Sequence, residues 1–300
     1  MTAPHAPGRL SALLTAVFVT FLWSTSWVLI KVGLAASLPP LPFAGLRYGL
    51  AALCLAPFAL GPAQGRRHLR EAPRATAGWL VLLGLVYIAV AQGAQFAALA
   101  LLPAATVSIF LAMTPALVAL ASALARSEPP TPLQGAGVAV AAAGAVLYFW
   151  PGSLAVPGAA GVAVALVALS ANAVGALLGR KVNRESSLPP LSVTFVSLSV
   201  GALALLSGGV ALQGLPPIDL RTAAVVAWLA VVNTAVAFTL WNRSLKILTA
   251  VESSVVNGLM LPQIALLAVA FLGEELGVRE VAGLLLVGAG TLVVQLPGTR

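Results

Sequence analysis

Apolar residues along this chain come in long unbroken runs. Windows of about 20 apolar residues, the length an α-helix needs to cross the hydrocarbon core of a bilayer, occur near 10–32, 41–60, 77–99, 103–125 and 131–150. They occur again near 158–180, 190–211, 222–245, 250–273 and 277–296. None alternates with period two, so helices are expected rather than barrel strands. Between the runs lie short connectors marked by helix breakers: Pro39-Pro40, Pro103, Pro129-Pro130, Pro151-Gly152 and Pro216-Pro217. The longest connector, about 61–76, leaves no room for a folded domain. The first run is too long for a signal-peptide core and holds Trp23 and Trp27, so it is read as the first span.

The runs also repeat. Leu38-Pro39-Pro40-Leu41 recurs as Leu188-Pro189-Pro190-Leu191, and Lys31 recurs as Lys181 at the same offset. Later in each half a Pro inside an apolar run, an acid at its end and two Gly residues follow in order. They are Pro115, Glu128, Gly137 and Gly144, then Pro262, Glu274, Gly283 and Gly290. The chain is expected to be a tandem duplication, residues 1–150 holding spans 1–5 and residues 151–300 holding spans 6–10. Five crossings per copy turn the second copy upside down. The fold class is therefore an all-α integral membrane protein of ten transmembrane helices arranged as two inverted five-helix repeats. Inverted repeats around a midplane site are the architecture of secondary transporters.

Composition agrees with a lipid solvent: 60% of the 300 residues are hydrophobic and 8% charged, against about 25% charged in soluble domains. The net charge of +8 does not point to nucleic acid, because the basic residues sit in connectors and serve as orientation signals. With the N-terminus inside, twelve of them (Arg9, Arg66, Arg67, Arg70, Arg74, Arg126, Arg180, Lys181, Arg184, Arg243, Lys246, Arg300) fall inside. Three (Lys31, Arg221, Arg279) fall outside. Both termini are expected to be cytoplasmic. Cys54 has no partner and reads as a packed small hydrophobe.

Three kinds of residue are candidates for chemistry. Pro115 and Pro262, inside spans 4 and 9, each delete a backbone hydrogen bond and are expected to kink their helices as hinges. Polar groups within spans, Asn172, Asn233, Thr234, Asn257, Gln263, Gln92, Gln95, Ser170 and Thr114, either tie helices together or line a shared cavity. The aromatics Trp23, Trp27, Tyr87 and Trp241 offer stacking faces. The proposed substrate wall is Trp23, Trp27, Tyr87, Asn172, Asn233, Trp241 and Asn257, with Arg47, the one cation inside a span, either snorkelling outward or binding a substrate carboxylate. The paired glycines are expected to pack span 5 against span 10, with a homodimer face as the alternative. No buried acid relay stands out. No phosphate-binding loop of the Gly-x-x-x-x-Gly-Lys-Ser/Thr kind occurs, so no nucleotide motor is expected in the chain. His5 and His68 both lie in cytoplasmic segments, so neither metal nor hydrolytic chemistry is expected, and no cofactor is called for.

Trp23-Ser24-Thr25-Ser26-Trp27 with Lys31, then Arg47-Tyr48, and above all the doubled Pro, Glu, Gly, Gly signature resemble the EamA-type members of the drug/metabolite transporter superfamily. The resemblance covers essentially the whole chain and is carried by the ordered set. The second copy departs from it, having Ala173, Leu177 and Ser197 where the first has Trp23, Trp27 and Arg47. The resemblance implies a ten-helix carrier in the bacterial inner membrane that exports small metabolites. Within the superfamily the chain looks most like YddG-type aromatic amino-acid exporters. The expected partners are a small-molecule substrate and the bilayer, not nucleic acid. An exchanger of phosphorylated metabolites such as nucleotide sugars would need more cavity cations than Arg47. A membrane enzyme would need convergent catalytic groups, and a non-transporting scaffold would need a large exposed domain.

Overall fold

The computed structural model describes residues 8–114, 116–118, 131–149, 158–186, 188–244, 247 and 256–295. Eleven helices account for most of them: α1 Arg9–Ala35, α2 Pro40–Leu60, α3 Ala63–Glu71, α4 Arg74–Leu101, α5 Ala104–Ala112 and α6 Pro132–Phe149 belong to the first half. The second half supplies α7 Ala159–Glu185, α8 Pro190–Gln213, α9 Leu220–Trp241, α10 Val256–Leu272 and α11 Val278–Gln295. By length and composition α1, α2, α4, α7, α8 and α9 can each cross a membrane. The shorter apolar α5, α6 and α10, with α11, bring the crossings to the ten read from the sequence. The helix not foreseen is α3, Ala-Gln-Gly-Arg-Arg-His-Leu-Arg-Glu, which turns the long connector into a polar helix with Arg67 paired to Glu71 at 2.8 Å.

The connector prolines start helices rather than merely interrupting them. Pro39 and Pro189 are N-caps and Pro40 and Pro190 occupy the first turn, where a missing N–H leaves no bond unmade. Pro73 and Pro103 cap α4 and α5 in the same way. Asp219 caps α9 by accepting from the Thr222 N–H at 2.8 Å. Gly273 ends α10 in the left-handed conformation, with φ 66°, which is the residue's usual service at a helix end.

Packing shows the two-fold relation of the copies. α2 lies along its counterpart α8, and α6 along its counterpart α11. Pairing of each helix with its own equivalent is what an axis between inverted copies produces. Small residues make it close. A Cβ at Gly144 would stand 2.6 Å from the Val287 N and 2.8 Å from the Gly283 O, and one at Gly283 would stand 2.8 Å from the Gly144 O. Gly290 meets the Gly137 O at 2.6 Å on the same terms. The glycine stripes are therefore spent inside the chain, joining span 5 to span 10, and the alternative of a homodimer face on those stripes is not supported. α8 approaches α4 similarly, a Cβ at Gly201 falling 2.6 Å from the Gly84 O.

The two copies share a second irregularity. α4 is wound as a π-helix over Gly84–Gln92, and α9 over Val231–Val236. The two stretches begin 147 residues apart. Each packs on the second helix of the other copy, Gly84–Gln92 on α8 and Val231–Val236 on α2. π-winding in a helix recurs at functional sites.

Pro262 lies not in the middle of a helix but just after an interruption. The helix hydrogen bonding tightens at Leu259, whose N–H donates to the Val256 O at 3.1 Å. Pro262 has no N–H to return to the Gly258 carbonyl one turn back. The first copy has the same tightening at Met113, whose N–H donates to the Phe110 O at 3.1 Å; Pro115 itself lies outside the described residues, as does Glu128.

Replacing Gly144 or Gly283 by Val should cost about 1–3 kcal/mol of overpacking and lower the melting temperature and monodisperse yield of the detergent-solubilised protein. Gly78→Ala, where a new Cβ meets nothing within 4 Å, should leave both unchanged.

Candidate functional site

The helices divide the bundle into two halves of different character. One holds the start of α1, the connectors at 61–73 and 186–189 and the end of α9, and is here termed the terminal half. The opposite half holds the connectors at 36–39, 102–103, 214–219 and 273–277.

The described residues of the opposite half are closely packed. Phe43, Phe96, Leu99 and Leu102 are fully buried there, and the Phe43 and Phe96 rings meet edge to face at 5.1 Å. Two polar side chains tie its surface. Lys31 on α1 donates to the Leu102 carbonyl at 2.6 Å. Glu274, after α10, accepts from the N–H groups of Ala104 and Ala105 at 2.5 and 3.1 Å. A carboxylate at these two free N–H groups satisfies orphan donors and complements the positive end of α5. One acid thus fastens the end of α10 to the start of α5.

The terminal half holds a cavity of about 240 Å³ between α4, α7, α8 and α9, lined among others by Tyr87, Gly175, Thr194, Ser197, Leu198 and Phe238. Its lining draws on both copies. It is small beside the 300–1,000 Å³ of drug-sized ligand pockets. Gly175 makes room for Tyr87, since a Cβ there would stand 2.9 Å from the Tyr87 Cβ and 3.0 Å from its Cγ. A second hollow of about 380 Å³, lined by Val86, Leu166, Val167, Ser170, Ala171 and Val174, is nearly all apolar and lies on the α4–α7 surface.

The candidates from the sequence divide accordingly. Tyr87 lines the cavity. Trp23 and Trp241 stand behind it as an aromatic cluster, Trp23 lying 5.4 Å from Phe238 and 5.1 Å from Trp241. Asn172 is half-buried, one turn before Gly175, with its amide donating to the Ala168 carbonyl of its own helix at 2.8 Å. The others do not line this cavity. Trp27 is buried in the main core. Asn233 is fully buried and donates to the Leu22 carbonyl and to the Thr25 hydroxyl, so it ties α9 to α1, while its carbonyl oxygen finds no partner among the described residues. Asn257 is exposed. Ser24 and Gln263 make a parallel tie, 2.9 Å, between α1 and α10.

Arg47 does not snorkel. It is 5% exposed and its Nε donates to the Thr234 hydroxyl at 3.1 Å. Its guanidinium lies 5.2 Å from the Tyr48 ring centroid and 5.9 Å from that of Phe96. Tyr48 donates to the Gln92 side-chain carbonyl at 2.7 Å. Inserting a charge at such depth costs at least ~2.5 kcal/mol. Phe238, Thr194, Ser197 and Gly175 were not singled out for the wall from the sequence. Their signal was available in part: Ser197 lies 150 residues after Arg47, and Thr234 lies 147 after Tyr87. The pair Arg47–Thr234 in one half corresponds to Ser197–Tyr87 in the other.

Two inverted copies that pair helix on helix, built from helices long and apolar enough to cross a membrane, make a membrane-embedded bundle with a small hollow in one half. The EamA-like transporter family model matches residues 10–150 and 159–296. The chain belongs to that family, with two copies of its domain, and is a membrane transporter of small solutes. No curated protein matches it. A solved structure described only as a crystal structure of a protein has the same fold, with TM-score 0.66 and 22% identity over 96% of this chain and 98% of that one.

Glu274→Gln should weaken the fastening of α10 to α5 and favour opening of the opposite half. A single cysteine at Leu99, in a Cys54→Ala background, should react with a membrane-impermeant maleimide several-fold faster in this variant. Unchanged labelling would show the contact to be a static cap.

Proposed function

We propose that this transporter exports small metabolites, with amino acids bearing aromatic or other apolar side chains as the best-fitting cargo, by alternating access across a bacterial inner membrane. The carrying observation is the contrast between the halves: a cavity walled by both copies in one, and a packed, latched seal in the other. With the basic bias placing both termini in the cytoplasm, the cavity faces inward and the Glu274 latch outward. Tyr87, Thr194, Ser197 and Phe238 form the wall, Trp23 and Trp241 back it, and Asn172 edges it. Trp27 and Asn233 fit better as packing and helix-tying positions, and Asn257 lies exposed. Opening and closing would bend α5 and α10 where their hydrogen bonding tightens before Pro115 and Pro262, a discrete two-state change of the kind alternating access needs.

Counterflow in proteoliposomes, with a panel of amino acids, phosphorylated sugars and organic cations, tests the reading directly. Accelerated exchange of apolar amino acids supports it, and exchange confined to phosphorylated sugars overturns the cargo. Gly175→Val should push Tyr87 into the cavity and lower exchange at least tenfold while leaving protein yield near wild type. Wild-type exchange would place the substrate path elsewhere.

A further inference from the structure

We propose that Arg47 is the anion anchor of the carrier, so that its substrates are small organic carboxylates whose apolar bodies lie in the cavity beside Tyr87 and Phe238. The inference rests on the transport reading and names the chemistry of its cargo.

The way Arg47 is held is the first argument. A guanidinium presents five N–H donors, and here only Nε has a hydrogen-bond acceptor among the described residues, the Thr234 hydroxyl. No carboxylate among the described residues pairs with it. Thr234, within the π-wound stretch, gives its own proton at 2.8 Å to the carbonyl of Leu229, five residues back and just before that stretch. Its oxygen is thereby left as an acceptor for Arg47. The rings of Tyr48 and Phe96 flank the guanidinium. A neutral hydroxyl and two ring faces fix the direction of a cation without neutralising it. A structural ion pair would be built with an acid. What remains open is the planar fork of terminal nitrogens, which matches a carboxylate bidentately.

Position is the second argument. In the other copy the counterparts of Arg47 and Thr234 are Ser197 and Tyr87, and both line the cavity. Leu198, the counterpart of Tyr48, and Ile88 line it as well. Ile88 and Leu198 also belong to the buried cluster that contains Tyr48 and Phe96. The cavity and the Arg47 group therefore border one continuous apolar core. Arg47 is the only buried cation among the described residues, and it adjoins the same core as the cavity. One cation and a small cavity suit a monoanion rather than a phosphate dianion.

The test uses the purified full-length protein and matched probes: leucine, phenylalanine and tryptophan, each beside its carboxamide. Binding is read by ligand-induced thermal stabilisation, which needs no transport, and exchange by counterflow. For wild type, at least one carboxylate should bind ten- to hundredfold more tightly than its carboxamide. R47Q should lose that ratio, bringing the pair within about twofold, chiefly by weakening the carboxylate, and R47K should keep part of it. Equal binding of both members by wild type, a wild-type ratio in R47Q, or no binding by any carboxylate would overturn the assignment. Should R47Q fail to fold, R47K and the wild-type ratio decide by the same criteria. Probe binding with the expected ratio but without counterflow would instead sink the transport reading and leave the anchor standing.

Discussion

Close approach of helix backbones governs this structure. In lipid there is no hydrophobic gain in bringing one apolar helix to another, so dispersion contacts and a few hydrogen bonds must hold the bundle. Gly144, Gly283 and Gly290 remove the side chains that would keep α6 and α11 apart, and Gly84 and Gly201 do the same for α4 and α8. These contacts fix each copy against its inverted partner. Every other feature, the sealed half, the hollow half and the position of Arg47, is defined relative to that frame.

Inverted copies with unequal sequences give a carrier whose two faces differ chemically. Where the first copy places Arg47 and Tyr48, the second has Ser197 and Leu198; where the second places Thr234, the first has Tyr87. The same backbone arrangement thus holds a buried cation in one copy and a neutral, aromatic-walled hollow beside its counterpart in the other. The lysines diverge too. Lys31 reaches a backbone carbonyl, whereas Lys181 lies over the Trp79 ring, 3.9 Å from its centroid.

Much of the fold was legible in the sequence because lipid simplifies the code. Unbroken apolar runs marked the spans, doubled prolines marked their beginnings, and the spacing of Gly137, Gly144, Gly283 and Gly290 identified the helices that pair. The polar helix Ala63–Glu71 was missed because it carries no apolar run. The site was less legible. A polar residue in a span looks the same whether it ties helices or faces a hollow, and only neighbours from distant parts of the chain decide. Asn233 ties α9 to α1, while Tyr87 faces the hollow. Gly175 and Phe238 carry no chemistry of their own. Their importance comes from the room that one leaves and the surface that the other fills.

The π-wound stretches of α4 and α9 have a mechanical meaning. A helix whose hydrogen bonds span five residues instead of four carries extra chain in that turn. Taking up or releasing one residue there rotates everything beyond it by about 100°. Tyr87 lies within one such stretch and Thr234 within the other. The two side chains that meet the cavity and the buried cation therefore sit on the two segments best able to act as rotary joints.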